Sequence, residues 1–146
     1  MTFDLAAEKF NTWLKDINLL LPAVELDEDT IVFHNYIIKK NKLDQWDLIQ
    51  VGKKLRNIIA SFNLKSSALM AAKAHKNNRI MHVHRIIDLD QRYWSNYIDT
   101  VLFRERYKQT KDLVKRDIFL WRYEQSLDRV YNYKQKITSA FHAAFS

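Results

Sequence analysis

Glycine and proline are nearly absent from this chain, with one of each among 146 residues. Tight turns between β-strands draw heavily on both residues, whereas helix interiors are destabilised by them. The scarcity therefore predicts helices joined by short polar loops. It also excludes the glycine-rich loops of P-loop and dinucleotide-binding sites, and the strained turn that carries the serine nucleophile of α/β-hydrolases.

Cysteine is missing altogether, which excludes disulfides, thiolate nucleophiles and cysteine-based zinc or iron–sulfur sites. A chain without cysteine suits the reducing cytoplasm, where we expect this protein to reside. Long uncharged runs are lacking too, since no stretch reaches the roughly 18 residues that a membrane-spanning helix needs. Asp4 and Glu8 stand where a secretory signal has basic residues. We therefore expect a soluble cytoplasmic protein with no membrane partner and no cofactor.

Apolar and basic side chains are abundant in the chain. Hydrophobic residues make up 47% of it, which is enough to offset the chain entropy lost when one domain folds over residues 1–146. Lysine and arginine number 24 against 17 acidic residues, for a formal net charge of +7. Such a balance favours nucleic acid or an acidic protein surface as partner.

Apolar residues recur at three- and four-residue steps along most of the chain, which is the spacing of one helix face. The pattern predicts a helix within residues 2–22, a short helix over 31–40 and a third helix over 44–62. The β-branched content of 31–40 also suits a strand, but no partner strand is evident. A helix with small side chains is predicted over residues 66–76, followed by a turn at 77–78. The predicted fold class is all-α, a compact bundle of four to six helices.

The C-terminal region, about residues 88–144, contains neither glycine nor proline and carries apolar residues throughout. It predicts one long helix or a helical hairpin. Residues 104–112 are mostly polar and interrupt the heptad pattern, so they form either the hairpin turn or a helix that crosses open solvent. A broad apolar stripe of this length predicts a homo-oligomer or packing within a larger assembly.

A short basic stretch, residues 79–85, combines arginines with histidines. Arg79 and His84 stand in an R-x4-H arrangement that resembles the motif of HEPN-type helical ribonucleases. The resemblance implies metal-independent RNA cleavage by paired protomers, with His84 as acid or base and Arg79 at the scissile phosphate. The alternative is that these side chains belong to an ordinary basic helix or loop. No metal site is predicted, because the His82-x-His84 spacing suits a strand rather than one helix face.

The long helical region offers a second candidate site, in which cations alternate with aromatic rings. Cations at such spacings neutralise phosphates, and exposed tyrosines stack on unpaired bases. The alternative is a bundle seam of half-buried rings flanked by solvated cations. The predicted nucleic-acid-binding residues are Arg92, Tyr97, Arg104, Arg106, Tyr107, Lys108, Lys111, Lys115 and Arg116.

Three functions are compatible with these features. The sequence favours a non-enzymatic accessory or adaptor protein that binds nucleic acid, or a protein of a nucleic-acid machine, through a basic helical face. The first alternative is a structural subunit of a phage particle or another large complex that packs through its long helix. The second is a HEPN-like ribonuclease that uses Arg79 and His84.

Overall fold

A computed structural model describes residues 24–145 as a β-sheet followed by three helices. The strands are β1 (Val24–Asp27), β2 (Thr30–Phe33), β3 (Tyr36–Lys40), β4 (Trp46–Val51) and β5 (Arg56–Phe62). They form one antiparallel sheet in which spatial order follows chain order. The helices are α1 (Lys65–Lys76), α2 (Ile80–Gln109) and α3 (Leu113–Phe145). None of these described helices combines the length and the apolar character that crossing a membrane requires.

The all-α prediction is therefore wrong, because the chain contains a five-stranded sheet and is α+β. Residues 31–40 and 44–62, predicted as helices, form β2 to β5. The β2–β3 and β3–β4 turns contain no glycine: His34 and Asp44 adopt the left-handed conformation there, with φ of 51° and 60°, which glycine usually supplies. The predicted helix within residues 2–22 lies outside the described residues.

Gly52 falls within residues 44–62, which were predicted as a helix, but it is not helical. It lies in the turn between β4 and β5, and its N–H donates to the Leu55 carbonyl at 2.9 Å. A Cβ at this position would lie 3.2 Å from that carbonyl oxygen, so the glycine permits a close approach within the turn.

Helix α1 packs on one face of the sheet, against β3, β4 and β5. The strands bury alternate large side chains on this face: Ile31, Phe33, Tyr36, Ile38, Leu48 and Phe62. The helix contributes mainly small ones, so its backbone comes close to the sheet. The Tyr36 hydroxyl and His75 Nδ1 are 2.7 Å apart and join the two layers. The predicted helix at 66–76 and the turn at 77–78 are confirmed, with α1 beginning one residue earlier.

Replacing Ala71 by leucine tests this close packing. Ala71 is fully buried between α1 and its neighbours, so the added atoms must displace strand or helix side chains. We expect Ala71→Leu to lower the free energy of unfolding by about 1–3 kcal/mol, measured by urea denaturation. The same substitution at Ala143, which is exposed on α3, should change it by less than about 0.5 kcal/mol. Equal effects at the two positions would contradict the packing.

The C-terminal region is a helical hairpin, which answers the question that the sequence left open. Helix α2 continues through residues 104–109, and the chain turns at 110–112. The Thr110 hydroxyl donates to the Arg106 carbonyl at 2.6 Å, while Asp112 Oδ1 accepts the N–H of Val114 at 3.0 Å. These bonds satisfy backbone groups where α2 ends and α3 begins. From their residue numbers, the helices are about 45 and 50 Å long.

The two helices pack along a seam with the three- and four-residue alternation of coiled coils. Its buried members are Val83, Ile86, Asp90, Tyr93 and Thr100 on α2, and Ser126, Val130, Ile137 and Phe141 on α3. Nearer the turn, several large apolar side chains remain exposed, including Leu102, Leu113 and Trp121. The end of the hairpin that lies near α1 therefore holds most of the hairpin's core.

Asp90 connects the hairpin to the rest of the fold. Its carboxylate is 1% exposed and accepts the N–H groups of Leu64 at 3.0 Å and Asn63 at 2.8 Å. Helix α1 begins just after them and has no side-chain cap of its own, so Asp90 caps it from α2. Burial raises the pKa of Asp90, and the hydrogen bonds from Asn63 and Leu64 only partly oppose this.

Candidate nucleic-acid interface

An open groove runs between α2 and α3 along one side of the hairpin. A cavity of about 520 Å³ near the start of α2 is lined by residues that include His82, Arg85 and Lys136. A second cavity of about 550 Å³ is lined by residues that include Arg92, Arg129 and Tyr133. Lining residues of the two cavities follow one another at three- and four-residue steps on each helix, so both cavities belong to one groove.

Cations on α3 recur every seven residues, at Lys115, Arg122, Arg129 and Lys136. Seven residues make about two helical turns and advance about 10.5 Å, so these side chains lie on one side of α3. Arg129 and Lys136 line the groove cavities. The Arg122 guanidinium carbon lies 5.9 Å from the ring centre of Phe103, which belongs to α2. The repeat therefore follows the groove from the hairpin turn toward the base of the hairpin.

The α2 wall of the groove carries His82, Arg85 and Arg92. Arg92 donates from Nε to Asp88 Oδ1 at 3.0 Å and from Nη1 to the Tyr133 hydroxyl at 3.5 Å. The hydrogen bond with Tyr133 and the ion pair with Asp88 raise the pKa of Arg92 above its ordinary value. Of the residues lining these two cavities, Asp88 is the one carboxylate, and its pairing with Arg92 limits its repulsion of an anion.

Tyr133 places an aromatic ring in the middle of the groove. Its hydroxyl accepts the hydrogen bond from Arg92, and Lys136 Nζ lies 5.2 Å from its ring centre. The side chain is half-buried, so part of it faces solvent. A half-exposed ring beside cations is a combination that some proteins use for single-stranded nucleic acid, because bases stack on the ring while cations contact phosphates.

The hairpin turn brings together most of the predicted binding residues. Seven of the nine lie there: Arg104, Arg106, Tyr107, Lys108, Lys111, Lys115 and Arg116. Lys115 and Arg116 lie near the start of α3, where the helix dipole disfavours cations; the first turn itself has no acidic residue, but the Asp112 carboxylate caps it. The Arg116 guanidinium carbon lies 4.6 Å from the ring centre of Tyr107, so Tyr107 is engaged within the hairpin.

The other two predicted residues lie farther from the turn. The Tyr97 ring stacks on Trp94 and on Tyr93, with ring centres 5.3 and 6.2 Å away, and burial raises its pKa. Tyr97 therefore packs within the hairpin rather than presenting an open face to a base. Arg92 precedes Arg104 by 12 residues, which is about 18 Å along α2, and it lines the groove.

Sequence reasoning missed most of the groove. Its members that were not predicted as binding residues are His82 and Arg85 on α2, and Arg122, Arg129, Tyr133 and Lys136 on α3. The seven-residue repeat of cations on α3 is a signal that the sequence does contain. The repeat indicates a groove only once α2 is known to form the wall opposite α3.

Arg79 and His84, the predicted ribonuclease pair, lie near the start of α2. Arg79 is the N-cap, His84 follows five residues later, and both are exposed. Five residues correspond to about 140° around a helix, so within one protomer the two side chains leave α2 in different directions. A crevice of about 310 Å³ brings Arg79 together with His82. The catalytic pairing of Arg79 and His84 stays a prediction.

We define the cationic groove by seven residues: His82, Arg85 and Arg92 on α2, and Lys115, Arg122, Arg129 and Lys136 on α3. It extends about 32 Å from Lys115 to Lys136, which is enough for several nucleotides. Among residues 24–145, no group of three or more histidine or acidic side chains is arranged to hold a metal ion. No protein-family model matches this chain, and neither a curated protein nor a solved structure matches it.

Proposed function

We propose that this protein is a non-enzymatic accessory protein that binds single-stranded nucleic acid in the cationic groove. The observation that carries the proposal is the seven-residue repeat of cations on α3, which faces arginines of α2 across an open groove with Tyr133 at its centre. In this proposal the cations contact successive phosphates, and Tyr133 stacks on a base.

The dimensions of the hairpin support a single strand over a duplex. The axes of packed helices lie about 8–10 Å apart, so the groove between α2 and α3 has room for one extended strand. The major groove of a duplex is about 12 Å wide, and a single helix with its side chains already fills it. Two helices side by side cannot enter it, so a duplex would meet only the rim of the hairpin.

Binding of a labelled strand across a salt series tests the proposal. We expect DNA and RNA strands of about 12–16 nucleotides to bind and to change fluorescence anisotropy, while a duplex of equal length binds more weakly. The logarithm of the association constant should fall linearly with the logarithm of salt concentration, by about 0.7 for each phosphate contacted. No binding at the lowest salt, or equal binding of the duplex, would contradict the proposal. Recovered RNA should be intact, and shortened RNA would favour the ribonuclease alternative.

Exposed apolar side chains near the hairpin turn favour a second candidate role, that of an assembly subunit. Leu113, Val114 and Trp121 are 72%, 69% and 57% exposed. Val114, Ile118 and Trp121 follow at four- and three-residue steps, so they share one side of α3. Clustered apolar side chains of this kind mark protein contacts, and the candidate partner is a second copy of the chain.

Sedimentation equilibrium tests self-assembly. Wild-type protein at about 100 µM should sediment as a dimer or larger species. Replacing Ile118 and Trp121 together by lysine should return the monomer mass, because the paired faces would then bury charge. A wild-type monomer at this concentration would contradict the role.

A further inference from the structure

The cationic groove does not have two equivalent ends. Beyond the 520 Å³ cavity it continues into the crevice of about 310 Å³, and His82 and Ala143 line both spaces. Helix α1 also lines the crevice, with residues that include Lys73 and Ala74. The groove therefore meets a third helix at the base of the hairpin, whereas the opposite end reaches the hairpin turn. A strand lying in the groove with one end at the base would place that end beside α1.

Positive groups line this end of the groove from two helices. Lys73 of α1 lines the crevice together with Arg79 and His82 at the start of α2. Lys73 Nζ donates to the Ala144 carbonyl and lies 4.9 Å from the Phe145 ring centre. That contact holds its position, and an ammonium group has further hydrogens to donate.

Nothing acidic opposes these cations in the lining. Among the described residues that line the crevice and the adjoining 520 Å³ cavity, none is a carboxylate. Helix α2 has neither an acidic residue in its first turn nor a side-chain cap, so its dipole favours an anion there, while the last turn of α3, which lines the same crevice at Ala143 and Ala144, has the opposite dipole end and is contacted by Lys73. The small side chain of Ala143 leaves space for a ligand between α2 and α3.

This arrangement suits the end of a strand better than its interior. An internal phosphodiester carries one negative charge, whereas a phosphate monoester carries about 1.5 to 2 at neutral pH. Arg79 can contact two oxygens of such a group at once. We propose that the crevice lined by Lys73, Arg79 and His82 binds a terminal phosphate monoester of the strand held in the cationic groove. This inference rests on the proposed function, because the strand itself is bound by that groove.

Thymidine oligomers of about 12 nucleotides provide the test. Each carries a fluorophore at one end and either a phosphate or a hydroxyl at the other, in both polarities. We expect wild-type protein to bind one of the phosphorylated polarities about tenfold tighter than its hydroxyl counterpart. Arg79→Gln should reduce this ratio to about one. Arg56→Gln removes an exposed cation from β5, and this matched variant should keep the tenfold ratio.

The outcomes separate this inference from the proposed function. If oligomers bind but a terminal phosphate changes nothing, or if the preference survives Arg79→Gln, the crevice site is overturned and the groove stands. If no oligomer binds, the proposed function fails, and the crevice is tested with inorganic phosphate by following histidine ring protons in NMR spectra. Saturable shifts at about 10 mM phosphate that disappear in Arg79→Gln would support a site for a free phosphate monoester. Unchanged spectra would overturn the phosphate site in the crevice.

Discussion

Replacing Arg92, Arg129 and Lys136 together by glutamine is expected to weaken single-strand binding about a hundredfold at about 0.1 M salt. The three side chains surround Tyr133 in the two groove cavities, so their loss removes the central phosphate contacts. A hundredfold loss is about 2.7 kcal/mol in total. The salt dependence should fall as well, by about 0.7 for each lost contact and so by about 2 for all three. Fluorescence anisotropy over a salt series measures both quantities.

A control variant with the same change in net charge distinguishes the contribution of the groove to affinity from the contribution of net charge alone. Lys39, Lys53 and Lys54 are exposed in the sheet region, and replacing them together by glutamine also removes three positive charges. We expect this variant to bind within a few-fold of wild type, because screening confines the effect of distant charges to about 10 Å at 0.1 M salt. Equal losses in the two variants would show that net charge, rather than the groove, determines affinity.

Asp90→Ala is expected to lower the free energy of unfolding by about 3–4 kcal/mol. The substitution removes the acceptor of two backbone N–H groups, those of Asn63 and Leu64, at a site closed to water. A buried donor without an acceptor costs about 1–3 kcal/mol, and the cap of α1 is lost as well. Asp88→Ala, two residues earlier on α2, removes an exposed ion pair with Arg92 and should cost less than about 1 kcal/mol. Urea denaturation compares the two, and similar losses would contradict the capping role.

The pH dependence of Asp90→Asn follows from the raised pKa of Asp90. The folded state binds this proton more tightly than the unfolded chain, whose value is near 3.8. The stability contributed by protonated Asp90 is therefore present below that value, and it is lost as pH rises through the higher folded pKa. Asparagine does not titrate, so Asp90→Asn should cost more stability near pH 4 than at neutral pH. A cost that grows with pH would mean that the hydrogen bonds outweigh burial.

The helical half of the fold was predictable because two signals agreed there. Residues 66–76 combine helix-favouring alanines with a following Asn77–Asn78 turn, and α1 occupies that stretch. The sheet was missed because the β2–β3 and β3–β4 turns lack the usual glycine. His34 and Asp44 adopt the left-handed conformation instead, and a side chain in that conformation leaves little trace in a single sequence.

The candidate site was predictable only where its residues are close in the chain. The turn of the hairpin brings residues 104–108 near 111–116, so a basic cluster there needed no knowledge of the fold. The groove joins Arg85 to Lys136, which are 51 residues apart in the chain, and hairpin geometry alone makes them neighbours. Tyr97 was predicted as a binding residue but packs against Trp94 and Tyr93. The sequence does not distinguish a tyrosine that packs in the hairpin seam from one that is open for base stacking.

The location of the bound strand tests the central claim most directly. The chain of 17.6 kDa suits backbone amide NMR, with spectra recorded before and after adding a thymidine oligomer of about 12 nucleotides. We predict that the perturbed amides follow the groove, within residues 82–103 of α2 and 115–139 of α3, with strands β1 to β5 unaffected. Perturbations confined to the sheet, or to the side of α3 that carries Val114 and Trp121, would contradict it.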